Sequence, residues 1–256
     1  GFLGSAADVP ALTPLLLSKD AAIAAAARVS LDNMKDDNVN TALAEAVPAA
    51  KPQMQVLLIE LLASRRAPQS VPTATACLDS TEPSVRVAAL AVLAQLGGKE
   101  QTAPVIAALK KAADEKERND AEQTLGKLCA RSGPEVLPLV VEAMNCAPVE
   151  SHVALLRMLG RIGGADALQN LLTAQNNADA AVKEVALSEL ANWPTIDAAP
   201  HLLALAQGED AGQKVLGLRG YVRLARANAN AEEKAAMLTN AMGLAQAKED
   251  KWLVLA

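Results

Sequence analysis

Aromatic residues make up only 2% of this 256-residue chain: two Trp, one Tyr and one Phe. A core without large rings must be closed by Ala, Leu, Val and Ile between closely approaching helices, and the 51% hydrophobic content supplies them. The same shortage removes the stacking platforms that single-stranded nucleic acids use. A net charge of −5, from 24 Lys and Arg against 29 Asp and Glu, removes the concentrated basic surface that phosphates need. No nucleic-acid partner is therefore expected. Long apolar runs are missing too. The longest, Val87 to Leu96, is about half of a bilayer span, so no membrane insertion is expected, and no signal-like segment opens the chain. Cys77, Cys129 and Cys146 are odd in number and lack C-x-x-C spacing, which argues against a disulfide framework or a zinc site and leaves them as buried small residues. Neither His152 nor His201 has a second ligand at metal spacing, so neither a metal nor a cofactor is expected.

What is present is punctuation at regular intervals. In the stretch from Glu82 to Gly98, Pro83 stands where a first helical residue tolerates a missing N–H. Val85, Ala89, Leu93 and Leu96 then fall on one stripe at helical spacing, and Gly97-Gly98 offers a left-handed stop. A second apolar helix follows from Gln101 to Ala113, and the pattern restarts at Asp114. Aligning the second helix of each pair on its last apolar residue brings Leu96, Leu128, Ile162, Trp193 and Leu224 into one column, at spacings of 32, 34, 31 and 31 residues. Further units read as Val9–Leu17 with Asp20–Asn33, Val39–Ala50 with Pro52–Ser64, Glu135–Cys146 with Val149–Ile162, Ala165–Ala174 with Ala180–Trp193, and Ala198–Ala206 with Ala211–Ala227. Ala231–Ala247 opens an eighth unit, whose partner helix begins near Asp250 with Trp252-Leu253-Val254-Leu255 and stops after about two turns. Gly1 has no preceding Met and the last helix is short, so both ends read as excisions from a longer protein.

Periods of 31 to 34 residues with two helices per unit resemble the bacterial HEAT-like repeats first noted in bilin lyases, and Glu82-Pro83-Ser84-Val85-Arg86 is similar to their helix-start pattern. The resemblance covers essentially the whole chain. It implies an all-α right-handed superhelix of about seven helix pairs, a single repeat domain spanning residues 1–256, with the second helices lining the inner face.

Two rows of polar residues follow from the alignment. Near the start of the second helices, Arg86, Arg118, His152, Lys183 and Lys214 occupy one position, four residues after Glu82, Asp114, Pro148, Asp179 and Asp210. Acids at a helix start cap free N–H groups, and a base one turn on pairs with them or with the next repeat's acid, so this row reads as a structural ladder. Five and nine residues further come Ala91/Gln95, Gln123/Lys127, Arg157/Arg161, Ser188/Asn192 and Arg219/Arg223. Arg157, Arg161, Arg219 and Arg223 lack acids in the same turn and are the candidate partner-binding residues, set against the alternative of an ordinary solvated face.

No catalytic residue is found. Ser151 and His152 are neighbours on a helix and point about 100° apart, so they form no nucleophile–base pair. Neither Gly160-Arg161-Ile162-Gly163-Gly164 nor Gly217-Leu218-Arg219-Gly220 follows a strand, which excludes a phosphate loop. Trp193, Tyr221 and Trp252 read as packing residues. Leu218-Arg219-Gly220-Tyr221-Val222-Arg223-Leu224, with Glu232-Glu233-Lys234 and Lys251-Trp252-Leu253-Val254-Leu255, resembles HEAT regions beside sugar-active jelly-roll domains of the 3-keto-disaccharide hydrolase type. That likeness implies a noncatalytic module of a multidomain, exported carbohydrate-processing protein. The expected function is a protein-interaction or scaffolding module whose partner is a protein or a neighbouring domain of the same chain. The competing class is a HEAT-fold enzyme, either a bilin lyase with a pigment-sized cavity or a DNA-repair glycosylase with a basic groove.

Overall fold

Helices begin where an extended residue carrying a capping carboxylate hands over to an apolar stripe. Asp20, Asp179 and Asp210 precede helices in extended backbone, and each Oδ1 accepts from the first turn: from the N–H of Ala22 (2.8 Å), Ala181 (2.9 Å) and Gln213 (2.8 Å) respectively. Asp114 accepts from the N–H of Glu117 at 2.8 Å in the same way. Asp114, Asp179 and Asp210 of the repeated row are thus helix caps, whereas the Glu82 side chain makes no capping bond.

The computed structural model describes residues 4–145, 147–245 and 248–255, with backbone only at 249 and 253, and every regular element among them is helical. Two compact units divide the chain, Gly1–Arg131 and Ser132–Ala256. The first is built from α1 (Val9–Leu12), α2 (Ala21–Asn33), α3 (Asn38–Ala46), α4 (Pro52–Ser64), α5 (Ser70–Cys77), α6 (Pro83–Leu96), α7 (Thr102–Lys111) and α8 (Glu115–Ser132). The second holds α9 (Leu137–Asn145), α10 (Val149–Ile162), α11 (Ala165–Ala174), α12 (Ala180–Ala191), α13 (Ala199–Gln207), α14 (Ala211–Ala227), α15 (Ala231–Leu244) and α16 (Lys248–Leu255).

In the first unit α1, α3 and α5 each pack on the helix that follows, as do α9, α11, α13 and α15 in the second, and even-numbered helices stack side by side: α2 on α4 and α4 on α6 in the first unit, α10 on α12 and α12 on α14 in the second. Thr124 of α8 reaches the Leu90 carbonyl of α6 through Oγ1 (3.2 Å). The buried stripes are aliphatic, as the composition requires: Leu58, Ile59 and Leu62 in α4, Leu90 and Leu93 in α6, Leu155 and Leu159 in α10. Trp193 is the large exception. It is fully buried at the end of α12, with its indole N–H donating to Thr195 Oγ1 (2.9 Å) and Asp197 Oδ1 (3.0 Å). Tyr221 is buried as well, whereas Trp252, expected in the packing, is 64% exposed on α16. Leu96 is only half-buried, while Leu128, Ile162 and Leu224 of its column are buried.

The stop after α6 differs from the expected left-handed one. Gly97 is extended (φ −66°, ψ 155°), and glycine is needed there because a Cβ would lie 2.7 Å from the Leu93 carbonyl oxygen. A left-handed stop does follow α10, where Gly163 and Gly164 have φ of 71° and 88°. After α4 the chain makes one without glycine. Arg66 stands at φ 50°, with the Ala67 N–H donating to the Leu62 carbonyl (3.1 Å) and its own N–H to Ala63 (3.0 Å), the two bonds of a Schellman turn. Its side chain is exposed. Arg66→Gly is therefore expected to raise stability by about 0.5–1 kcal/mol, relief of the Cβ strain outweighing the freer unfolded chain. Urea unfolding checks this, and a lowered midpoint would show that the arginine side chain contributes more than the strain costs.

Candidate functional site

The second-helix row forms a continuous strip within each unit, because its helices stack. In the first unit the strip is short and uncharged on α6, at Ala91 and Gln95, and gains one cation on α8, where Gln123 and Lys127 follow; all four are exposed. In the second unit it carries Arg157 and Arg161 on α10, Ser188 and Asn192 on α12, and Arg219 and Arg223 on α14. Arg161 and Arg219 are exposed, and no ion pair or hydrogen bond among the described residues holds their guanidinium groups. Arg157 is half-buried one turn before Arg161.

Arg223 differs from Arg161 and Arg219 in what its side chain touches. Its Nη2 donates to the carbonyls of Ala191 (3.2 Å) and Trp193 at the end of α12, and its buried Nε has no acceptor among the described residues. Burial pulls the pKa of Arg223 below the ordinary arginine value. The side chain caps the preceding second helix instead of facing outward. Two further arginines do the same in the first unit. Arg131 donates to the carbonyls of Gln95 (2.9 Å) and Leu93 (3.2 Å) at the end of α6. Arg65 binds the end of α2 through the carbonyls of Leu31, Asp32 (3.0 Å) and Met34 (2.9 Å), while its Nε donates to Asn40 Oδ1 (2.6 Å). Each guanidinium satisfies orphan carbonyls and places its charge at the negative end of a helix dipole.

The basic row near the helix starts has one rung that pairs. Arg86 donates through Nε and Nη2 to both oxygens of Glu117, the Nη2–Oε2 distance being 2.7 Å, and through Nη1 to the Ser80 carbonyl (2.8 Å). Glu117 belongs to the next repeat and is buried. The hydrogen bonds from Arg86 hold its carboxyl below the usual carboxylate range against the opposing effect of burial, and the same bonds raise the pKa of Arg86. Arg118, His152, Lys183 and Lys214 are half-buried at the equivalent position, with no ion pair among the described residues. The difference lies in the next repeat, where the position of Glu117 is taken by Ser151, Val182 and Gln213, none of which carries a charge.

Cys77 and Cys129 are buried, and burial raises the Cys77 thiol pKa; Cys146 lies outside the described residues. Among the described residues no group of three or more His, Cys, Asp or Glu side chains is arranged to hold a metal ion, and no helix is long and apolar enough to cross a membrane. Between α6 and α8 the strip of the first unit opens into a cleft with Asp120 in its wall.

Residues 39–126, from α3 through most of α8, match the HEAT repeat family. No curated protein sequence matches the chain. Among solved structures, human deoxyhypusine hydroxylase in complex with glycerol is similar at 17% identity and TM-score 0.36, over 98% of this chain and 95% of that one. The CpcE–CpcF complex of phycocyanin lyase from Nostoc sp. PCC7120 is similar at 17% identity and TM-score 0.40, over 95% and 96%. An engineered protein is similar at 17% identity and TM-score 0.43, over 98% and 80%.

Proposed function

We propose that this HEAT-like stack, taken as one module over residues 1–256, is a noncatalytic protein-interaction scaffold that docks its partner on the second-helix face. The observation that carries the reading is the exposure of Arg161 and Arg219, without an ion pair among the described residues, on a strip that also carries Arg157. An unpaired guanidinium is a planar fork suited to carboxylates, so the partner segment facing the second unit is acidic and belongs to another protein or a neighbouring domain of the same chain. Each Arg–carboxylate pair that loses its water contributes on the order of 1–3 kcal/mol, and each pair left at the rim much less. On the likeness of residues 218–224 to HEAT regions beside sugar-active domains, the wider protein is a carbohydrate-processing one.

Replacing Arg161 and Arg219 together by Gln is expected to leave the melting temperature nearly unchanged, and adding Arg157→Gln makes the triple variant. Binding of a glutamate-rich peptide, measured by calorimetry beside its glutamine counterpart, should weaken about tenfold or more. Arg223→Gln is expected to behave oppositely, lowering stability by about 1–2 kcal/mol because it strips the donor from two helix-end carbonyls. Equal peptide binding by the triple variant and the parent would move the docking face elsewhere.

A further inference from the structure

The charges of the second unit's strip are sorted across its helices. Arg161 near the end of α10 and Arg219 midway along α14 are exposed, and α12, which stacks on both helices, carries only Ser188 and Asn192 between them. Nearer the helix starts the same faces hold Glu150 on α10 and Glu184 on α12, both exposed. An acidic segment laid along α10 would meet Glu150 as well as the arginine, whereas one that crosses the stack meets an arginine at each edge and an uncharged step between. Stacked helices stand about 8–10 Å apart, so the two arginines are separated by about 16–20 Å. An extended chain covers that distance in about six residues, and because its side chains alternate, positions six apart point to the same side. A helix would need about thirteen or fourteen residues for the same span. The α12 step favours the extended form. Asn192 Nδ2 donates to the Ser188 carbonyl (3.0 Å), but Asn192 Oδ1 and Ser188 Oγ make no hydrogen bond among the described residues. An extended backbone offers N–H groups to these acceptors, whereas the N–H groups of a helix are spent within it.

We propose that the acidic partner segment crosses α10, α12 and α14 in extended form, with two carboxylates six residues apart, one on Arg161 and the other on Arg219, and uncharged residues over Ser188 and Asn192. Both guanidinium groups are exposed and make no ion pair or hydrogen bond among the described residues, so each offers its planar fork to a carboxylate. The assignment rests on reading the second-helix face of the second unit as the docking surface for an acidic segment; it adds the conformation of that segment, its course across the helices and the spacing of its acids.

The test measures binding of the full chain by calorimetry to three peptides of equal charge: Ac-Glu-Thr-Ser-Thr-Ser-Thr-Glu-NH2, its isomer Ac-Thr-Glu-Ser-Thr-Glu-Ser-Thr-NH2 with the acids three apart, and an alanine-based helical peptide with two glutamates fourteen apart. The first is expected to bind about fivefold more tightly than either of the others, the gain from a second rim pair that only its spacing allows. Arg161→Gln and Arg219→Gln should each abolish that advantage while leaving the melting temperature unchanged. Equal affinity of the isomer, tighter binding of the helical peptide, or an advantage that survives either substitution overturns the assignment. If the isomer binds equally well and the two substitutions still weaken the glutamate-rich peptide, the extended crossing falls while the acidic docking face stands. If the glutamate-rich peptide is indifferent to them as well, both fall.

Discussion

Replacing Arg65 by methionine is expected to destabilise the first unit by about 3 kcal/mol, near the upper end for a single substitution. Methionine keeps most of the stem's apolar contact and removes only the fork. Four acceptors then lose their donor: the carbonyls of Leu31, Asp32 and Met34 at the end of α2, and Asn40 Oδ1 on α3. Leu31, Met34 and Asn40 are buried, so their freed acceptors are not simply rehydrated. Each bond to a charged donor is worth about 1.5–3 kcal/mol and a stranded buried acceptor costs about 1–3, but Arg65 is itself half-exposed and water recovers part of the loss. Arg65→Lys should restore less than half, because an ammonium cannot span acceptors held by a planar five-donor fork. Urea unfolding that follows the first unit's transition gives the readout: the midpoint falls while the slope stays constant. A loss below about 1 kcal/mol would mean that the end of α2 is solvated well enough without the cap.

That role was not legible in the sequence. Arg65 occupies the column that holds Leu96 and Leu128 in later repeats, Arg131 lies three residues past that column, and Arg223 lies one residue before it. Arg131 is three residues from the register of Arg65 and four from that of Arg223, spacings that share a helix face, and the long side chains span the one-residue step between Arg65 and Arg223, so all three reach carbonyls at the end of the preceding second helix, yet no single column of an alignment contains them. The column logic placed Arg223 beside Arg161 for this reason. What a column can show is backbone punctuation. The bounds of Pro52–Ser64, Pro83–Leu96, Val149–Ile162, Ala165–Ala174 and Ala211–Ala227 agree with the periodic reading, because proline or a capping acid starts most of these helices and an extended or glycine residue stops several of them. The first helices of the pairs were read less well. Val9–Leu12 passes into a 3-10 turn at Thr13, before Pro14, and short 3-10 turns at Lys99–Gln101, Gly133–Val136 and Ile196–Ala198 precede α7, α9 and α13. Such turns leave no apolar period to read. The exposed strip was legible as a row of polar residues, but which of its arginines are spent inside the stack depends on side-chain reach of several ångströms across repeats, which spacing along one chain does not encode.

Gly217→Ala sets two effects against each other on α14, and the larger decides the sign. In an exposed helix interior, glycine to alanine gains about 1 kcal/mol of helix propensity. At Gly217, however, a Cβ would lie 2.6 Å from the Ala206 backbone nitrogen, 2.7 Å from the Leu202 carbonyl oxygen and 2.8 Å from Leu205 Cβ. None of these is the flexible end of a side chain, so α13 and α14 must move apart. Gly220, one turn on, meets the Ala191 carbonyl oxygen at 2.8 Å, so the same movement disturbs the contact with α12. Overpacking of this kind costs about 1–3 kcal/mol and here affects three helices, so a net loss of about 2 kcal/mol is expected after the propensity gain. Gly160→Ala on α10 separates the two effects, because a Cβ there meets only the carboxylate end of Glu189, at 2.7 Å, which can rotate away. That variant should gain up to about 1 kcal/mol. Opposite signs in urea unfolding of the two variants would establish that close approach of α13, rather than the flexibility of glycine, is why α14 carries Gly217; a Gly217→Ala protein as stable as the parent would refute it.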